Sequence, residues 1–211
     1  MPPTNKRGNR SMPRTEEQNK QIRDERQEQI LQAALKVFAR RGMAAAKISD
    51  IASEAGFSHG LVYHYFKSKE EIFFTLVKKA LEGSALVVQY AQQQEGSPLQ
   101  KLRWMTQMIL QHIAGEGAYL FLIMIQAITS DAMPEEVKQM MDEELAFSAI
   151  KATLPLIKAG QQAGEIVQDD PEKLAVLYYS LIQGLAISKI QRKDCPMPDA
   201  DMVLRVLKAK R

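Results

Sequence analysis

The chain has 211 residues, 45% of them hydrophobic, a formal net charge of +3 and a single cysteine, Cys195. That length suits one large or two small domains, and one cysteine excludes an internal disulfide framework and fits a reducing cytoplasm. The longest apolar stretch, residues 119–125, falls far short of the roughly 18 apolar residues of a membrane span, and the N-terminus lacks the apolar core of a signal peptide.

Residues 1–22 are rich in Pro, Asn, Gln, Arg and Lys and show no periodicity, so they are expected to be disordered. A first helix is expected over 23–41. Ile30, Ala34 and Phe38 repeat at i+4 with Leu31 and Leu35 beside them, giving one wide apolar stripe. Arg40, Arg41 and Gly42 end it, with cations at the negative end of the helix dipole.

The next stretch organises the rest. Ile48, Ile51, Ala52 and Ala55 recur at helical spacing. Gly56 can take the left-handed geometry that often closes a helix, and Ser58 can cap a second short helix. This is a helix-turn-helix pattern over residues 47–66. At about 100° per residue, Val62 and Phe66 of the second helix face the first. His59, Gly60, Tyr63 and His64 fall on the outer side, a set of aromatic and hydrogen-bonding groups with a glycine that permits close approach.

The run Ile51-Ala52, Ala55-Gly56, Ser58, Gly60, Val62-Tyr63, Tyr65-Phe66 and Ser68-Lys69-Glu70 resembles the DNA-binding domain of the TetR (tetracycline-repressor-like) family. So does the upstream Ile30-Leu31, Ala33-Ala34, Phe38-Ala39 and Gly42. The resemblance covers residues 24–84; beyond them it is architectural. It implies that His59, Gly60, Leu61 and His64 approach base edges, with Ser58 at the helix start. It implies that Tyr63, Tyr65 and Lys69 hold phosphates. Ser49 stands where members often carry a longer base-contacting side chain. Lys47 replaces the usual Thr or Ser cap and offers a charge for phosphate instead. Leu61, in place of a small polar residue, can meet a thymine methyl.

The charge distribution bears on this. Residues 1–70 hold 13 Lys and Arg against 8 Asp and Glu, and residues 71–211 hold 15 against 17. Either the difference is chance, or the basic end meets nucleic-acid phosphate. Likewise Lys6, Arg7, Arg10, Arg14 and Lys20 either form an arm into the minor groove or decorate a solvated tail.

A connector helix opens at Ser68, which has capping-box spacing to Glu71. It carries Ile72, Phe73, Leu76, Val77, Ala80 and Leu81 at helical intervals and runs to about Gln94. Glu95-Gly96-Ser97-Pro98 breaks it. Further helices are expected at 98–114, 118–130, 134–163, 171–192 and 199–209, separated by Gly115/Gly117, 131–134, 164–170 and 195–198. Pro155 should kink the third of them. No strand-like alternation survives between the breaks.

Two features of this body bear on function. Leu174, Leu177, Tyr178, Leu181, Ile182, Leu185, Val203, Val206 and Leu207 carry more apolar surface than a peripheral helix buries alone, and Gly184 allows close approach. The bland reading is intrachain core. The resemblance implies a two-fold four-helix dimer interface through Leu177, Leu181, Gly184, Leu185, Val203 and Val206. Second, Trp104, Met105, Met108, His112, Tyr119, Phe121, Met124, Met140, Met141, Phe147 and Tyr178 are large, soft or polar-tipped. They are either core or, in part, the lining of an effector cavity. The candidates for that lining are Trp104, Met108, His112, Tyr119, Met124, Phe147 and Tyr178. Residues 142–144 read as a solvated acidic face.

His112 has no second His, Cys or close carboxylate in sequence to make a metal site. No nucleophile elbow, phosphate loop or dinucleotide fingerprint occurs, so neither catalysis nor a cofactor is expected. The expected architecture is all-α. Residues 1–22 form a tail and 24–84 a helix-turn-helix DNA-binding domain. A connector leads to 85–211, a helical effector-binding and dimerisation domain. The expected function is a cytoplasmic, homodimeric, ligand-responsive transcriptional repressor. It would be released from a palindromic double-stranded DNA operator by a small apolar or aromatic effector, with no membrane involved. The alternatives are a helical small-molecule-binding protein without operator reading, or a helical enzyme using an acid or base such as His112 or Glu116.

Overall fold

The computed structural model describes residues 15–129, 135, 137–139, 149–192 and 194–209. Lys6, Arg7, Arg10, Arg14, the break at 131–134, Met140, Met141, the acidic run 142–144 and Phe147 lie outside the described residues.

α1 spans Glu16–Ala45, so residues 16–22, expected to be disordered, are helical. Thr15 and Gln18 cap each other's backbone amides reciprocally, and Glu16 and Glu17 sit at the positive end of the dipole. Hydrogen bonds at i,i+4, Gln21 to Glu25 and Gln32 to Glu28, brace the exposed turns. Apart from Ile22 this helix start is polar, so an apolar-stripe argument could not find it. Helical geometry breaks at Gly42 (φ 73°).

α2 (Ile48–Ala55), α3 (His59–Tyr65) and α4 (Lys69–Gln93) follow as expected. α5 (Pro98–His112) and α6 (Ala118–Thr129) are joined by a π-helical turn, Ile113–Gly117, in which Gly115 leaves helical geometry (φ −90°, ψ −140°). A Cβ on Gly117 would stand 2.0 Å from His112 Cδ2, so the imidazole lies over that glycine and a side chain there would have to displace it. α7 (Ala149–Gln162) contains Pro155, and α8 spans Pro171–Gln191. α9 is only Ala200–Leu204, not the helix expected over 199–209. The chain after it turns back, with Val167 N donating to Leu207 O (2.9 Å) and Ala209 N to Glu165 O (3.0 Å). Pairing with residues 165–167 in an isolated bridge took the backbone groups that a longer helix needs.

The fold is all-α, an N-terminal helix-turn-helix head joined by α4 to a helical body. Two apolar cores follow α4. Ile72, Phe73, Leu76, Val77 and Leu81 join the head core, built on Ile30, Phe38, Ile51, Val62 and Phe66. Val88 and Ala91 join the body core. Ile123 and Ala127 of α6 also lie in the head core, so the head leans on α6 as well as on α4. By length and mean hydropathy (1.5), Pro98–Thr129 matches a membrane-crossing helix. Within it, α6 packs on α1, α4 and α8.

Two tyrosine–threonine pairs stitch α8 into the body. Thr106 gives its proton to Leu102 O (2.7 Å), so the Tyr178 hydroxyl donates to Thr106 Oγ1 (2.9 Å). In the same way Thr153 donates to Ala149 O (2.7 Å) and Tyr179 to Thr153 (2.8 Å). Every buried hydroxyl proton there has an acceptor. Burial lifts both phenols, Tyr179 from 10.0 to about 12. Below pH 10 both states keep the proton and this contribution is complete. As pH rises towards 12 the unfolded chain ionises first and stability is lost. Urea unfolding across that window should show the decline, and Tyr179→Phe should flatten it, with Tyr178 supplying the remainder. An identical decline in the mutant would remove Tyr179 from the account.

Candidate nucleic-acid interface

α2 turns Ile48, Ile51 and Ala52 inward, all buried, and leaves Ser49 exposed. Gly56 closes it at φ 69°, ψ 27°, a left-handed geometry that a side chain would strain. The chain then reverses, and the Ser58 hydroxyl starts α3 by accepting from Leu61 N (3.2 Å). α3 buries Val62, and Phe66 is buried just beyond it.

The opposite side faces solvent. His59, Gly60, Tyr63 and His64 are exposed, while Leu61 and Tyr65 are half-buried, Tyr65 against the head core. His59 meets Tyr63 edge to face (centroids 4.9 Å), and His64 meets Tyr65 in the same way (5.2 Å). Such pairs restrict the rings while leaving polar tips outward. At Gly60 a Cβ would meet nothing within 4 Å, so packing inside the chain gives no reason for a glycine there.

The cations around this face divide sharply. Arg40 makes a bidentate pair with Glu54 (3.1 and 3.2 Å), Arg41 pairs with Asp50 (2.9 Å), and Lys36 reaches Glu116 of the π turn (2.6 Å). Glu116 holds the Lys36 ammonium above its usual range. These pairs tie α1 to α2 and to the body. Lys47 is exposed at the N-cap of α2 and makes no side-chain cap; instead Asp50 Oδ2 accepts from its backbone N–H (3.1 Å). Lys67, which sequence reasoning passed over, is exposed two residues beyond α3. Its position just outside the second helix was the available signal.

Residues 30–76 match the family model "Bacterial regulatory proteins, tetR family". That segment is of the TetR DNA-binding type. The chain is 43% identical over 63 residues to the uncharacterised HTH-type transcriptional regulator YfiR of Bacillus subtilis, 30% of this chain and 31% of that protein. It is 38% identical over 77 residues to the HTH-type transcriptional repressor KstR2 of Mycolicibacterium smegmatis, 36% of this chain and 38% of that one. The matches thus span about a third of each relative's length. Among solved structures, the TetR family regulator PfmR of Thermus thermophilus superposes with a TM-score of 0.67 at 23% identity, over 82% of this chain and 92% of that one. This likeness extends the shared fold from the head into the body.

Within the TetR-type head, Lys69, expected at phosphate, is engaged inside the chain. Its ammonium donates to Met43 O (2.9 Å), Ala44 O (2.9 Å) and Ala46 O (3.0 Å), the carbonyls at the end of α1. The expected Ser68–Glu71 capping box is also altered. Ser68 Oγ accepts from Glu71 N (3.1 Å), but the Glu71 carboxylate accepts from Lys67 N (2.6 Å).

Among the described residues, the candidate effector side chains of the body are not gathered round one cavity. Tyr178 is fully buried with a satisfied hydroxyl. His112 is exposed over Gly117. Trp104 and Met108 are half-buried, and Trp104 packs on the body core; Tyr119 and Met124 pack on the head core instead. The i, i+4, i+8 spacing of Trp104, Met108 and His112 puts them on one side of α5, but α5 ends at His112 and the chain leaves helical geometry at Gly115. An open cleft of 430 Å³ lies where α1, the π turn and α8 meet, and of that set Tyr119 lines it. Among the described residues no three His, Cys, Asp or Glu side chains cluster as metal ligands.

The candidate dimer residues divide too. Leu177 (44% exposed), Leu181 (37%) and Gly184 lie on the open face of α8, with Val206 exposed beyond α9 and Leu185 half-buried. Val203 (5%) belongs to the body core, because α9 turns it under α5 rather than outward.

Proposed function

We propose that this chain is a ligand-responsive transcriptional regulator that binds a palindromic DNA operator as a homodimer and represses until a small apolar or aromatic effector binds its body. The observation that carries the reading is the outer face of α3: His59, Gly60, Tyr63 and His64 are exposed together, and Gly60 has no intrachain purpose. A convex helix face of this kind fits the major groove, where imidazole and hydroxyl groups meet base-edge donors and acceptors. Ser49, Ser58 and Leu61 border that face, and Tyr63, Tyr65, Lys47 and Lys67 are its candidates for phosphate. Residues 24–84 serve as the reading domain and 85–211 as the effector and dimerisation domain. A two-fold pair of heads reaches half-sites about 34–36 Å apart.

Effector action requires a body state that holds the effector more tightly than the DNA-bound state does. Head and body meet through α4, through Ile123 and Ala127 in the head core, through Gln126 Nε2 on Phe38 O (3.3 Å) and through Lys36–Glu116. These contacts are the route by which a body change would move the heads. No catalytic role is assigned, and a cytoplasmic location follows from the DNA target.

His64→Ala should reduce discrimination between operator and random DNA by about 1–3 kcal/mol through loss of a base contact. Titration against both duplexes checks this, and unchanged discrimination takes His64 out of the reading face. Absence of any salt-dependent DNA binding in the unmutated protein would defeat the regulator reading and leave a small-molecule-binding protein or an enzyme.

A further inference from the structure

In the head of this protein the cations at the edge of the reading helix are not equivalent. An ammonium has three protons and no acceptor. All three of Lys69's are directed at carbonyls, at 2.9, 2.9 and 3.0 Å, and those carbonyls, of Met43, Ala44 and Ala46, are the groups a helix end leaves without amide partners. The chain breaks helical geometry at Gly42 just before them. The surroundings of Lys69 also disfavour an anion, since Glu70 and Glu71 occupy the first turn of α4 and the Glu71 carboxylate already takes the Lys67 amide. Arg40 and Arg41 are paired with Glu54 and Asp50. Lys47, at the N-cap of α2, and Lys67, two residues beyond α3, are exposed.

We infer that Lys69 is a positioning residue and not a phosphate ligand. Its ammonium pins the start of α4 to the corner between α1 and α2, so that the two helices of the reading motif keep a fixed angle to the connector. The inference rests on the proposed DNA-binding function and assigns the phosphate charge to Lys67 instead. The three carbonyls lie 23 to 26 residues earlier in sequence, so the contact joins α4's first residue to a distant part of the chain.

The test measures binding to a random-sequence duplex DNA over a range of salt, well below the melting temperature, for the unmutated protein, Lys69→Gln, Lys69→Arg and Lys67→Gln. Melting temperature and amide exchange at residues 43–47 are followed in parallel. Lys69→Gln should bind more weakly at every salt by one constant factor, with the salt slope unchanged, a lower Tm and faster exchange at 43–47. Lys69→Arg, which keeps the charge but not the compact three-donor head, should also lower Tm at unchanged slope. Lys67→Gln should lose about one unit of slope at unchanged Tm. A loss of about one unit of slope in Lys69→Gln, with or without a change in Tm, overturns the inference. So does a lowered Tm with DNA affinity intact, which would make the lysine structural only. If the unmutated protein shows no salt-dependent binding, the DNA reading fails, and unaltered Tm and exchange in Lys69→Gln would then show that no clamp exists.

Discussion

Leu181→Glu should convert the protein to a monomer that keeps its helix content and loses operator binding. Leu181 is 37% exposed on α8, and Val176, Leu177, Gly184 and Ile187 are exposed along the same helix, with Met202 and Val206 exposed close by in sequence in and beyond α9. Exposed apolar side chains gathered on one helix face mark an interaction surface more readily than scattered ones do. A C2 axis through it would cover the same residues on both copies. A carboxylate there lies beside its own symmetry mate in a dry seam, at a cost of several kcal/mol. The folded protomer loses little, because Leu181 already contacts solvent. Sedimentation gives the oligomeric state and circular dichroism the helix content. A variant that remains dimeric places the interface elsewhere, and a variant that loses its helices places Leu181 in the core.

Phe38→Ala should cost roughly 3–5 kcal/mol of stability, the usual range for emptying a fully enclosed phenyl site. Phe38 is fully buried, and its ring stands edge-on to Phe73 with centroids 5.3 Å apart. It therefore joins α1 to α4 at the centre of the head core. Its carbonyl also receives Gln126 from α6, so the backbone at this point is held by the body. Loss of the ring removes the roof under which α2 and α3 pack, and DNA binding should fall with stability. Urea unfolding measures the first and a mobility shift the second. Tyr63→Ala, on the exposed face, is the control and should change stability by less than about 0.5 kcal/mol. A loss under about 1 kcal/mol for Phe38→Ala would mean that the site collapses and that the head does not depend on this ring.

The division of α3 into an inner side of Val62 and Phe66 and an outer side of His59, Gly60, Tyr63 and His64 could be read from spacing alone, because a helix fixes which residues share a side. The same holds for the turn at Gly56, the cap at Ser58 and the core positions of α1 and α4. Where local rules were absent or overridden, the reading failed. Residues 16–22 are helical with no apolar stripe, held by caps and i,i+4 bonds that periodicity does not register. α9 ended at Leu204 because its following residues found backbone partners at 165–167, some forty residues earlier in the chain. Val203 and Tyr178, apolar or aromatic on helices with open faces, were placed at the dimer seam and the effector site respectively. Both are buried in the body core, and only the docking of α8 on α6 and α7, and of α9 on α5, decided that.

Charge placement was the least local property of all. The sequence by itself determined which residues carry charge, and the family pattern suggested Lys69 for phosphate. A lysine's role depends on which acceptors lie within about 3 Å of a long flexible arm, and those acceptors are set by packing. Here the tertiary structure brought the end of α1 beneath the start of α4, and the Lys69 ammonium met three carbonyls rather than solvent.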